Sequence, residues 1–237
     1  MKPVKLDASS TKKTPAVADV LYSTADGKLT LDAQTNSVDN TPIAICVIPE
    51  VTENFENGDD STGAVKTARF VSLNYMNCKT PTTGSDSTRM YFGNYGTTIG
   101  NVKGGTDETS YIGGKWNTQQ CLSKATNQDV ICEVTNKSGT GYCAPACCCV
   151  AYSTPGTKSG DWYLPMPGEL YQIYANKAAI DEKRTAIKGS GFNGSNYWSS
   201  RENSSDWEYF VFLNYGNISN RNKDGNCAVL GFLALEY

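Results

Sequence analysis

The apolar stretches of this chain are all short, and that limits its architecture more than any other feature. The longest, PIAICVIP from Pro42, APACCCVAY from Ala144 and CAVLGFLALE from Cys227, span eight to ten residues and are bounded by turn-formers. No window approaches the roughly 18 consecutive apolar residues of a membrane-spanning helix. The start, MKPVKLDASSTKK, lacks the apolar core of a signal peptide, so neither a signal peptide nor direct membrane insertion is expected. Gly, Pro, Ser, Thr and Asn fill 95 of 237 positions, which suits short strands and a few helices joined by many turns. Residues 1–14, rich in Lys, Thr and Ser, read as a flexible tail outside the fold, and 15–237 as a single domain.

The chain contains no histidine. Ser-His-Asp and Cys-His nucleophilic catalysis, His-ligated zinc and the two-His-one-carboxylate iron site are thereby excluded. A formal net charge of -3 argues against nucleic acid, whose binding needs clustered Lys and Arg against phosphates. Nine cysteines are an odd number, and Cys147, Cys148 and Cys149 are consecutive, which fits poorly with a disulfide framework. Small buried apolar thiols are the favoured reading. The alternative is a thiolate metal site using Cys143 and Cys147, one helical turn apart, with Cys121 or Cys132.

Short strands are expected over Ala18–Thr24, Gly27–Ala33, Pro42–Pro49 and Ala68–Tyr75, with another near Met90–Phe92. Acidic Glu53–Gly63 reads as an exposed loop without the ligand order of a calcium loop, and Lys79–Gly105 as mostly loop. Helices are expected over Asn117–Ala125 with Asn117 as N-cap, over Ala144–Tyr152, and over Pro167–Ala178, where Leu170, Ile173 and Tyr174 share a face and Pro167 suits the first turn. A polar extension of the last runs toward Ile187 and stops at Gly189. Gly189-Ser-Gly191-Phe-Asn-Gly194 matches a dinucleotide-binding glycine pattern, but it follows a helix and precedes a strand, so it reads as a loop. Asp161 reads as part of a turn entering the Pro167 helix.

The C-terminal third has a different character. Eight of the chain's aromatics fall between Phe192 and Tyr215, and eight of its 20 asparagines between Asn193 and Asn226. Such a mixture offers contact area and adaptable hydrogen bonds. With a period of two, Trp207, Tyr209, Val211 and Leu213 lie on one face of a strand, and Glu208, Phe210, Phe212 and Asn214 on the other. If the first set faces the core, the two phenylalanines are displayed outward as an interaction surface.

GDWYLPMPGELYQIY from Gly160 and NYWSSRENSSDWEYFVFLNYGNISNRNK from Asn196 resemble the C-terminal half of bacterial C-type-lectin-like domains of the formylglycine-generating-enzyme-like type. More narrowly they resemble the variable proteins of diversity-generating retroelements. The resemblance rests on a W-x-LP turn, the Glu169-Leu170 pair, the YWSS strand Tyr197–Ser200 and Gly216-Asn217-Ile218. It covers Gly160 to Leu235, with a weaker likeness over Pro42 to Tyr75. It implies an α+β, C-type-lectin-like fold with short antiparallel sheets and two to three helices, and 196–235 as a variable ligand-binding segment. The chain has Leu230-Gly231 where the family often carries an Arg-Pro or Arg-Cys pair before its last strand. It also lacks the copper-binding cysteine pair and the calcium-lectin signatures, so no cofactor, metal or catalytic residue is carried over.

Retroelement mutagenesis acts at adenines. Substituting the adenines of an AAC or AAT codon never yields Trp, Glu, Gln, Lys or Met, which assigns Trp198, Glu202, Trp207 and Lys223 to scaffold. Candidate ligand-binding positions are Arg201, Asn203, Ser204, Ser205, Asp206, Phe210, Phe212, Asn214, Tyr215, Ser219, Arg221, Asn222 and Asn226. The implied function is non-enzymatic display of a recognition surface toward a protein or other surface molecule on a host or neighbouring cell, from a phage tail, virion or bacterial cell surface. Self-association stays open. The alternatives are a metal- or thiol-dependent oxidase-like enzyme on the same fold, using two of Cys143, Cys147, Cys148 and Cys149, and a structural pilus or tail component.

Overall fold

The computed structural model describes residues 1, 3–31, 40–54, 64–76, 89–125 and 143–237. In chain order its elements are β1 (Val4–Lys5), β2 (Val20–Ser23), β3 (Leu29–Thr30), β4 (Thr41–Asn54), β5 (Ala64–Tyr75), β6 (Arg89–Tyr91), α1 (Gly114–Lys124), α2 (Ala144–Ala151), β7 (Trp162–Tyr163), α3 (Pro167–Ala175), α4 (Lys177–Lys188), β8 (Asn196–Glu202), β9 (Trp207–Phe212), β10 (Asn217–Asn222), β11 (Asn226–Ala228) and β12 (Leu230–Glu236). The architecture is α+β. One sheet runs β1-β12-β5-β4-β2-β3, with β7 also on β12, and a second runs β10-β9-β8-β11-β6.

The run PIAICVIP becomes the middle of the large sheet because it is apolar at successive positions and so can be covered on both faces. Ala44, Cys46 and Phe70 join one core cluster, while Ile45, Val47 and Val71 join the other. β4 and β5 are longer than expected, at 14 and 12 residues, and β4 carries register shifts around Pro49, where a ladder donor is missing. Glu53 therefore belongs to a strand, and the remainder of the expected acidic loop, 55–63, lies outside the described residues. The N-terminal residues are also part of the fold, contrary to expectation. Val4 and Lys5 pair in parallel with Leu235 and Glu236, and Val4 packs on the core, which repays the ordering of a segment whose composition looks solvated.

Four helices are described, one more than the upper expectation, because the Pro167 helix is broken. Asn176, at φ -113°, interrupts it, and its side-chain amide donates to the Gln172 carbonyl at 3.0 Å, satisfying a C-terminal acceptor before α4 begins. Gly189 then ends α4 in the left-handed conformation, as the sequence predicts. α1 starts at Gly114, ahead of the expected cap, because Asn117 spends its amide elsewhere. Its Oδ1 accepts from the Lys103 backbone at 2.9 Å and its Nδ2 donates to the Lys103 carbonyl at 3.1 Å. α2 forms where expected, and its buried alanines and cysteines are small enough for close packing against α1 and β7. Asp161 does fold a turn, its Oδ2 accepting the Lys158 N–H at 2.8 Å.

Candidate binding surface

The aromatic and Asn-rich segment folds into the antiparallel meander β8-β9-β10. At one end the turn after Glu202 is closed by the Asn203 and Ser204 N–H groups donating to the Trp207 carbonyl, and the Lys223 N–H donates to the Asp206 carbonyl. At the other end the Gly216 N–H donates to the Phe212 carbonyl. Gly216 is required there: its φ is +70°, and the Tyr174 ring lies 2.3 Å from where a Cβ would stand. Gly194 serves similarly, since the Asn214 amide occupies the space a side chain would need.

Directly paired residues share a face, so Asn196, Phe212 and Asn217 form one row, Trp198, Phe210 and Ser219 the next, and Glu202, Glu208 and Arg221 the third. The opposite face carries Tyr197, Val211 and Ile218 against the cluster containing Ile173 of α3. The expected division of the strand therefore holds in part. Val211 and Leu213 are buried, but the sheet is covered on both sides, so Phe210 and Phe212 are half-buried and Phe210 rests against the cluster that contains Trp198. Glu208, expected outside, is fully buried, whereas Trp207, expected inside, is 42% exposed because it begins the strand beyond the edge of the core.

Asn203, Ser204, Asn214, Tyr215, Ser219 and Asn226 are exposed, and Arg201, Ser205, Asp206, Phe210, Phe212, Arg221 and Asn222 half-buried. They fall into two groups. Arg201, residues 203–206, Arg221 and Asn222 gather around the β8–β9 turn, with Asn222 opposite the exposed Trp207. Phe212, Asn214 and Tyr215 gather at the far end, where the Phe212 and Tyr215 rings meet edge to face at 5.1 Å and Tyr215 is 66% exposed. Phe210 and Ser219 bridge the groups, and Asn226 stands on β11, paired with Tyr91. Asn217 and Asn220 are also exposed on the edge strand β10, Asn217 in the Phe212 row and Asn220 on the opposite face, paired with Tyr209.

Under the β8–β9 turn lies a buried polar network. Lys223 Nζ contacts Glu202 Oε1 at 2.7 Å and donates to the Thr97 carbonyl at 3.1 Å. The carboxyl of Glu202 also accepts from the Ile99 and Gly100 N–H groups at 2.8 and 2.7 Å. Asn101 Nδ2 donates to Glu208 Oε1 and to the Ser200 carbonyl, both at 2.9 Å. Glu208 Oε2 has no hydrogen-bond partner. Burial pushes the Glu208 carboxyl well above the usual range; Lys223 pulls it down, and Glu202 and Cys143 add to the rise. Asn101 and the 97–100 backbone had no signature in the sequence, because their role depends on a contact about 100 residues away.

Seven cysteines are described, all buried, while Cys78 and Cys132 lie outside the described residues. Burial pushes Cys227 up to about 11, with Arg221 and Arg89 pulling against it. Among the described residues no group of three or more Cys, Asp or Glu side chains is arranged to hold a metal ion, and no helix is long and apolar enough to cross a membrane.

Two packed sheets with helices, and a C-terminal meander carrying an aromatic and amide surface, define the class to which the chain belongs: a mixed α+β domain. No protein family and no curated protein matches it. Among solved structures it is similar to a fimbrial protein from Bacteroides ovatus, at 18% identity and a TM-score of 0.51, over 92% of this chain and 48% of that one. The chain thus spans about half the length of that protein, and the likeness is one of fold.

Proposed function

We propose that the chain is a non-enzymatic ligand-binding display protein of the C-type-lectin-like kind used by diversity-generating retroelements, with its recognition surface on the β8-β9-β10 meander. The observation that carries this reading is a division between changeable and fixed positions. All thirteen candidate positions retain solvent access, while three of the four residues that adenine mutagenesis cannot create from Asn codons, Trp198, Glu202 and Lys223, are buried; the fourth, Trp207, is 42% exposed at the start of β9. A surface that can be rewritten needs such a base. Affinity would come from further burial of Phe210, Phe212 and Tyr215, about 1.5–3 kcal/mol for each ring that passes from exposed to fully buried. Arg201, Asp206 and Arg221 would set charge complementarity toward a protein or other surface molecule on a host or neighbouring cell. Display from a phage tail, virion or bacterial cell surface follows from that role.

Sequencing the DNA around the gene tests this reading. A reverse transcriptase and a template repeat matching the segment from Asn196, differing from it at template adenines, are the expected result. Their absence, with substitutions among natural copies spread evenly along the chain, would contradict it.

A second reading, a structural subunit of a surface appendage, is favoured by the likeness to the fimbrial protein. Regular filaments formed by purified protein, imaged by electron microscopy, would support it over ligand display.

A further inference from the structure

The cysteines are not equivalent, and two of them meet. Cys121 lies near the end of α1, and Cys143 immediately precedes α2. Both are fully buried in the same core cluster, where α1 packs on α2. Their thiols are within hydrogen-bonding reach of each other, and Cys143 Sγ is held from another side by Asn94 Nδ2 at 3.2 Å. Cys147 is also close enough to Cys121 to act on it electrostatically, whereas three other described thiols are placed elsewhere. Cys149 Sγ donates to the Leu230 carbonyl at 3.8 Å, Cys227 lies against Arg221 and Arg89, and Cys46 sits in β4 of the large sheet. Cys147 is one turn beyond Cys143 on α2, and its backbone N–H donates to the Cys143 carbonyl.

We propose that Cys121 and Cys143 are a disulfide site, closed by exchange with an external disulfide while the chain folds in an oxidising environment. The thiolate of one cysteine attacks a sulfur of glutathione disulfide, forming a mixed disulfide and releasing one glutathione thiolate, which takes up a proton. The thiolate of the other then attacks the protein sulfur of that mixed disulfide and releases the second glutathione. The two cysteines lose two protons and two electrons, and glutathione disulfide gains them. Thiolates are the attacking species, and burial pushes the Cys121 thiol well up, so exchange belongs to the folding chain before α1 and α2 close over it. The bond would tie together the ends of a stretch of 21 intervening residues, which removes more freedom from the unfolded chain than from the folded one. This site depends only on the packing of α1 and α2, so its failure leaves the display reading untouched.

The test is to refold the full chain from denaturant in a mixture of glutathione and glutathione disulfide, block remaining thiols, digest without reduction and map linked peptides by mass spectrometry. A peptide pair joining Cys121 to Cys143 is expected, with a melting temperature roughly 5–10 °C above that of the reduced protein. The increment should vanish in Cys121→Ala and persist in Cys227→Ala. Folded protein with both thiols blocked, or Cys121 or Cys143 linked to any other cysteine, would overturn the proposal, and the peptide map of the unsubstituted chain decides this even if Cys121→Ala fails to fold.

Discussion

The Arg69–Glu169 pair in the large sheet and the Glu202–Lys223 pair under the meander are both almost wholly buried, yet they are finished differently. Arg69 Nε meets Glu169 Oε1 at 3.0 Å and Nη1 donates to Thr67 Oγ1 at 2.7 Å. The carboxyl of Glu169 further accepts from the Tyr163 hydroxyl and from the Met166 N–H at 2.7 Å. Burial still pushes Glu169 upward, but Arg69, Tyr163 and Met166 all pull against it. That network ties α3 to β5 and β7 and leaves no carboxylate oxygen unpartnered. The second network is equally buried but contains one more carboxyl than its lysine can pair, and Glu208 Oε2 has no hydrogen-bond partner. The first is a closed joint of the frame. The second is a joint under tension, placed directly beneath the surface assigned to recognition.

The largest effect should come from breaking the closed joint. Arg69→Met leaves Glu169 buried without its cation and should cost about 3–5 kcal/mol by denaturant unfolding. Lys223→Met should cost somewhat less, about 3 kcal/mol, because Glu202 keeps two backbone donors. Glu208→Gln sharpens the contrast in the opposite direction. The folded state holds the Glu208 proton where the unfolded chain has released it. Its contribution is therefore full below the ordinary glutamate pKa of about 4.3, and is lost as pH rises through the raised folded value. Wild type should lose stability over that window, whereas Glu208→Gln should lose less and equal or exceed wild type at pH 8, as read by melting temperature against pH. The smallest effect is expected at the surface itself: Tyr215→Ala and Asn203→Ser should each stay within about 0.5 kcal/mol.

Much of the frame was readable in the chain. PIAICVIP is apolar at successive positions and became a strand covered on both faces; Pro167 and Gly189 punctuate helices as their backbone preferences require. What escaped depends on distant partners. The N-terminal residues look solvated until Leu235 and Glu236 supply a strand beside Val4 and Lys5. Asn117 looks like a cap until Lys103 takes its amide. Alternation alone placed Glu208 outside and Trp207 inside, because a period of two cannot show that the meander is covered on both faces or where the core stops. The candidate surface was legible as a segment, through its clustered asparagines and aromatics. Trp198, Glu202 and Lys223 in its base were legible too, but the part supplied by Asn101 and the 97–100 backbone was not.

The most direct measurement is a comparison of two libraries sorted for protease-resistant, folded protein. One randomises the thirteen candidate positions from Arg201 to Asn226, and the other Trp198, Glu202, Glu208 and Lys223. A rewritable surface on a fixed base predicts that most substitutions survive in the first library, with Phe210 the most restricted because it touches the core, and that few survive in the second apart from Gln at 208. Equal intolerance in both libraries would contradict it.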